Sequence, residues 1–306
     1  MLKTKHYLTT ISIVLLSFLM ASGCDLLEVE EVIDPNNPSS AGVLNDATPG
    51  ELQNMVTGLE SRHRGYVANT TQLFGSFGRE TWNFFASDPR FTIDWLGQED
   101  ITEPYPNFFA SGGTYNTPYQ AIKQANLLIE AVENTTTVTE AEANAYLGFA
   151  KTIQAFQYLI PLNGQYQNGI RIDVAEPLNP GPFLSYENAL DEILALLDEA
   201  YNDLNSAPAD LPFNLTEGFG EFATAAGLQQ VNRAIKARAS IYAEDFTGAL
   251  NALDDSFLDL TAGEESMNRG VYHVYGNPPD SFNPLFYPLD ANTNQIMVVH
   301  PSMIED

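Results

Sequence analysis

Both tryptophans of the chain, Trp82 and Trp95, fall in one stretch, roughly Gly65 to Gly113. Asn83, Phe84, Phe85, Asp88, Arg90, Asp94, Tyr105 and Phe108 lie close to them in sequence. Indole and phenol rings offer flat apolar faces, while Asn, Asp and Arg offer hydrogen-bonding edges. That pairing suits a sugar ring, which has a face of C–H bonds and a rim of hydroxyls. The residues expected to contact such a ligand are Trp82, Asn83, Arg90, Asp94, Trp95 and Tyr105. Side chains with this task usually sit on loops carried by a rigid scaffold. The competing expectation for Trp82 and Phe85 is that they fill a gap between helices. Tyr272, Tyr275 and Tyr287 form a second aromatic group in a Pro-rich tail, where packing roles are expected. Arg62, Arg64, Arg79 and Arg90 are the candidates for a local positive patch toward an anionic polymer.

Patterns that carry catalysis do not occur. The histidines are His6, His63, His273 and His300, and none is spaced from another as metal ligands are. The H-E-x-x-H motif, the P-loop, G-x-S-x-G and the EF-hand loop are absent. Adjacent acids such as Asp254-Asp255 or Asp191-Glu192 say nothing in a chain with 40 acidic residues. Glycoside hydrolysis needs two carboxylates at a set separation, which sequence does not measure. The expectation is a non-enzymatic protein with no cofactor and no metal.

Cys24 is the only cysteine. It follows Lys3, Lys5, an apolar run from Tyr7 to Met20, and the small residues Ala21-Ser22-Gly23. A basic start, a short apolar centre and a small-residue end make a secretory signal. The run is shorter than the ~20 residues a spanning helix needs. A cysteine at the end of such a signal is where lipoprotein signal peptidase cuts, so Cys24 is expected to carry the lipid. Residues 1–23 are then the signal peptide. Residues 24–47 are read as an acidic, Pro-rich, lipid-anchored linker, with Asp25, Glu28, Glu30 and Glu31 followed by Pro35 and Pro38. Residues 48–306 are the binding domain.

The formal charge is −27, from 13 basic and 40 acidic residues. Such a surface repels nucleic acid, whose phosphates require Lys and Arg, and it disfavours anionic lipid. The membrane contact expected is the lipid anchor alone.

The elements that must position the candidate residues read as helices separated by loops. Thr48 caps a helix with Pro49 at its first position. Leu52, Met55, Val56 and Leu59 share its inner face. A second helix spans about Tyr115 to Glu133, with Ile122, Ala125, Leu128, Ile129 and Val132 inward. A third runs from Thr139, boxed by Glu142, to about Leu159. Ser185 caps a fourth, a fifth covers about Val231 to Ala243, and a sixth starts near Asp245. Gly65 to Gly113 shows no sustained helical period and is read as irregular. The fold class is all-α: tetratricopeptide-like helix pairs with long irregular loops.

Five segments then carry a family resemblance. Tyr119-Gln120-Ala121-Ile122-Lys123-Gln124-Ala125-Asn126 resembles a helix of SusD/RagB-family proteins that reads Tyr, Ile, then Ala-Asn. Gly148-Phe149-Ala150-Lys151-Thr152-Ile153-Gln154-Ala155-Phe156-Gln157-Tyr158-Leu159 is similar to that family's Gly-Glu-Ala-Lys helix with its Arg-Ala-Phe and Tyr. Phe149 replaces the Glu and Gln154 the Arg. Asn163-Gly164-Gln165-Tyr166 resembles the loop that follows. Ile193, Leu197-Asp198 and Ala200 match the acidic helix. Ala237-Arg238-Ala239, Tyr242, Asp245-Phe246 and Ala249-Leu250 match a later helix pair. The order is right over about residues 115–255, and the tail is expected to be incomplete.

The resemblance implies a surface-exposed outer-membrane lipoprotein that binds nutrients, chiefly glycans. It would hand them to a SusC-like TonB-dependent transporter, its expected partner. The acidic run after Cys24 resembles a surface-export signal of Bacteroidota. The alternatives are a tetratricopeptide-like scaffold lipoprotein in outer-membrane assembly and a surface glycosidase.

Overall fold

The computed structural model describes residues 40–84, 112–277, 280–290, 296–300 and 302–305. Cys24, Arg90, Asp94, Trp95 and Tyr105 lie outside them. The described chain is mainly helical, as expected.

Helix α1 covers Ser40–Asp46, within the segment read as linker. It is tied down: Asp46 accepts a hydrogen bond from the Thr136 amide at 2.9 Å, and Asn134 donates to the Leu44 carbonyl at 3.0 Å. Helix α2 (Pro49–His63) begins at Thr48, and Thr48 and Glu51 form a full capping box there. Helix α3 (Val67–Phe77) follows after a short turn and corrects the irregular reading of its residues. Val67, Thr70, Thr71 and Gly75 are weak helix formers, so propensity hides a helix held by tertiary contacts. Strand β1 (Thr81–Phe84) comes next.

Helix α4 (Thr117–Asn134) and helix α5 (Glu140–Gln165) follow, then α6 (Tyr186–Ser206), α7 (Ala225–Tyr242) and α8 (Phe246–Asp254). Consecutive members of this series pack on one another, and α2 packs on α4. Strand β2 (Ile296–Val299) pairs antiparallel with β1, Trp82 opposite Val298. A short helix α9 (Ser302–Glu305) ends the described chain.

Two boundaries differ from the expected ones. Helix α5 runs past Leu159 through Pro161. An interior proline costs a helix about 3 kcal/mol, and burial of Leu159, Ile160 and Leu162 offsets this. Helix α7 starts six residues before Val231, capped by Thr224, whose hydroxyl accepts from the Gly227 amide at 3.0 Å. Gly227 reads as a loop residue, but a Cβ there would sit 2.4 Å from the Phe222 backbone.

Helix α5 is buried nearly all round and forms the centre of the fold. Gly148 lets it approach α6: a Cβ there would lie 2.5 Å from Leu204 and 2.9 Å from the Ala200 carbonyl. Lys151 forms ion pairs across the same contact with Glu199 and with Asp203, the latter at 2.9 Å. Burial pushes the Lys151 ammonium down, but the bonds to these carboxylates outweigh it and hold the group above its usual value. Where α5, α6 and α7 meet, fully buried Asn232 donates to Thr152 at 2.9 Å and to the Leu197 carbonyl at 3.1 Å. Phe149 is fully buried against Phe213 and Phe219, so a carboxylate at this position would be stranded in the core.

Candidate functional site

A concavity lies where three segments converge. The C-terminal end of α2 and the turn after it supply Glu60, Ser61, His63 and Arg64. The 3-10 turn Glu217–Phe222 and the residue before it supply Thr216, Glu217 and Phe219. The tail supplies Tyr272, His273 and Asp280. The cavity holds about 570 Å³. A second, more apolar cavity of about 340 Å³ adjoins it, lined by Ile153, Phe156, Val231, Ile235 and Phe257 among others. His63, Phe219, Val271 and His273 line both.

Glycine lets the tail come so close. The Tyr272 amide donates to the Gly218 carbonyl at 2.9 Å. A Cβ on Gly218 would stand 2.1 Å from the Tyr272 carbonyl oxygen. Arg64 adds a second tie. It donates to the Val274 carbonyl and to Asp280 at 2.8 Å, and its guanidinium lies 5.4 Å from the Tyr275 ring centre. That ion pair holds the Asp280 carboxyl below its usual range.

The imidazoles of His63 and His273 meet edge to face, 4.8 Å apart between centres. Gln157 fixes the first. Its amide nitrogen donates to the His63 carbonyl at 3.0 Å and to His63 Nδ1 at 2.6 Å. A carbonyl only accepts, so the amide nitrogen must face it, and Nδ1 must accept as well. The proton of the neutral ring therefore sits on Nε2. Burial, and then the neighbouring His273, push the His63 pKa down to about 3, so the ring stays neutral across the physiological range. Burial likewise lowers His273, with Arg64 second, and its Nε2 lies 3.2 Å from the Tyr66 hydroxyl. Glu60 accepts two hydrogen bonds from Thr216, at 3.0 and 2.7 Å. Burial still raises its carboxyl above the usual range.

The larger cavity thus has a rim of hydroxyls, carboxylates and one guanidinium, and walls of aromatic and imidazole rings. Ligand sites of small molecules span roughly 300–1,000 Å³ with a few placed polar groups, so the space suits one or two sugar units. Among the described residues no group of three or more His, Cys, Asp and Glu is placed to hold a metal ion, and no helix is long and apolar enough to cross a membrane.

Of the residues singled out in the sequence, Trp82 and Asn83 stand on β1. The Trp82 ring lies 6.2 Å from His300, and its indole N–H is buried without an acceptor. Arg90, Asp94, Trp95 and Tyr105, like Cys24, are not among the described residues. Of the arginines named for a positive patch, Arg64 is paired with Asp280 at 2.8 Å, and Arg62 donates to the neutral Gln120 amide at 3.3 Å. Of the tail tyrosines, Tyr287 accepts from Gln72 at 2.6 Å, while Tyr272 lines the cavity. The histidine pair escaped the sequence reading because its partners lie at opposite ends of the domain. A Gly at 218 and a lone His in each segment were the only local signs.

Comparison of the chain with protein-family models, with curated proteins and with solved structures finds no match.

Proposed function

We propose that this chain is a lipid-anchored, surface-exposed outer-membrane protein that binds nutrients, most of all glycans, and passes them to a SusC-like TonB-dependent transporter. The observation that carries this reading is that the resembling segments meet in space. Gln154, at the position of the family's Arg, donates to Asn126 of the Ala-Asn segment at 2.6 Å. Lys151 reaches the acidic helix at Asp203, and Asp198 of that helix holds Arg233 at 2.8 Å and Lys236 at 2.5 Å on the next. The successive pairing of α4 to α8 is read as tetratricopeptide-like. That frame carries the sugar-sized cavity at His63 and His273 and the aromatic stretch that begins at Trp82. Cys24 supplies the anchor.

Titration calorimetry of the full-length chain in detergent with neutral hexasaccharides tests the reading. Saturable binding weakened in His273→Ala supports it, and no heat with any of them opposes it.

One observation favours a second reading. Glu60, whose carboxyl burial raises above its usual range, lines the same cavity as Asp280, which Arg64 holds below it. A protonated and an ionised carboxyl across a sugar is the arrangement of a glycosidase. Release of reducing ends from a neutral polysaccharide, abolished in Glu60→Gln, would establish it.

A further inference from the structure

Two tyrosines from successive helix ends pack on one another. Tyr166 closes α5 and Tyr186 opens α6. The Tyr166 ring, 57% exposed, stands edge-on to Tyr186 with 5.0 Å between centres. Tyr186 packs on the core cluster below and donates to Asn163 Oδ1 at 3.3 Å. Its hydroxyl is raised by burial first, and then by the nearby phenols of Tyr242 and Tyr166. Tyr242 is itself 37% exposed.

The backbone at Tyr166 is unusual. Its φ is +42° and its ψ −107°, where a side chain is strained and glycine is the ordinary choice. Strain held at a residue in this way points to a task for its side chain. Here that side chain is an exposed ring supported by a second, anchored ring.

The surroundings are amides. Asn163, Gln165, Gln167 and Asn168 flank Tyr166, and the chain carries no charged residue between Lys151 and Arg171. Charged residues make up 17% of the protein, so this run is a local exception. Side-chain amides both donate and accept, as sugar hydroxyls do. Glu187 follows Tyr186 directly, and its carboxylate turns away an anionic polymer. The Tyr186 bond occupies the Asn163 oxygen and leaves its NH₂ for a ligand.

We infer that the Tyr166–Tyr186 pair is a second carbohydrate-contact site, which takes a neutral glycan by stacking on Tyr166 and by hydrogen bonds from the flanking amides. It is separate from the histidine-lined cavity and does not require ligand there.

Affinity electrophoresis of the full-length chain in detergent, through gels containing soluble starch, xylan or galactomannan, with carboxymethylcellulose as the anionic control, tests this. Tyr166→Gly removes the ring and relieves the backbone together, so its thermal midpoint reports whether the fold is intact. The expected result is retardation of the wild type by at least one neutral polymer and none by carboxymethylcellulose. That retardation should fall on the order of fivefold to tenfold in Tyr166→Gly at an unchanged or higher midpoint and persist in Tyr166→Phe. Equal retardation of Tyr166→Gly and wild type overturns the assignment. So does wild-type migration unaffected by every neutral polymer, even where calorimetry shows oligosaccharide entering the cavity.

Discussion

His63 and His273 lie ring edge to ring face, 4.8 Å apart, one at the end of α2 and the other in the tail. This contact closes the domain on itself. It also sets the wall between the polar cavity and the apolar one, with the His63 ring kept neutral by depth and by Gln157.

Stability should therefore depend on pH through His63. The unfolded ring takes a proton near pH 6.5, and the folded ring only near 3. Between these values the unfolded state binds more protons, so stability falls as pH drops through that window and is level above it. From pH 6.5 to 5 the loss is on the order of 1–2 kcal/mol. Urea midpoints at pH 7 and pH 5 measure it, and His63→Gln should shrink the difference, leaving the part that the likewise lowered His273 contributes.

Gly148→Ala tests the contact between α5 and α6. The new methyl meets a backbone carbonyl as well as Leu204, and the carbonyl cannot swing aside. A loss of about 1–3 kcal/mol in unfolding free energy is expected, as for overpacked cores. Gly50→Ala, where no atom lies within 4 Å of the new methyl, serves as the neutral comparison.

Lys151→Met leaves the mostly buried Asp203 carboxylate without its partner. The cost at pH 7 is about 1–3 kcal/mol, reduced from that of a fully buried pair because Glu199 is exposed. The folded lysine titrates above its ordinary 10.5, so its contribution is complete below that pH and is lost as pH rises past the folded value. Unfolding curves of the two proteins should thus differ at pH 7 and converge in strong alkali.

The helical frame was legible because caps and periodicity are local. Thr48-Pro49, Thr139 with Glu142, Ser185 and Asp245 each mark a start that the structure uses. Helix α3 was not legible, since its residues favour no helix on their own. The β1–β2 pairing escaped for another reason: register between distant strands is set by the folded whole. On α8 the buried face is made by the small Ala249 and Ala252, whereas Leu250 is exposed. At the site, residue types in the Trp82 stretch raised the expectation of a ligand there, but nothing local announced that Glu60, His63 and His273 would share a cavity.

The most direct measurement of the central claim is affinity electrophoresis of the full-length chain, with Trp82→Ala, Trp95→Ala and His273→Ala beside it, through gels containing neutral polysaccharides. Glycan capture predicts that at least one neutral polymer slows the wild type, and that at least one of the three variants migrates faster through it. Wild type and variants running alike and unretarded in every gel would contradict it.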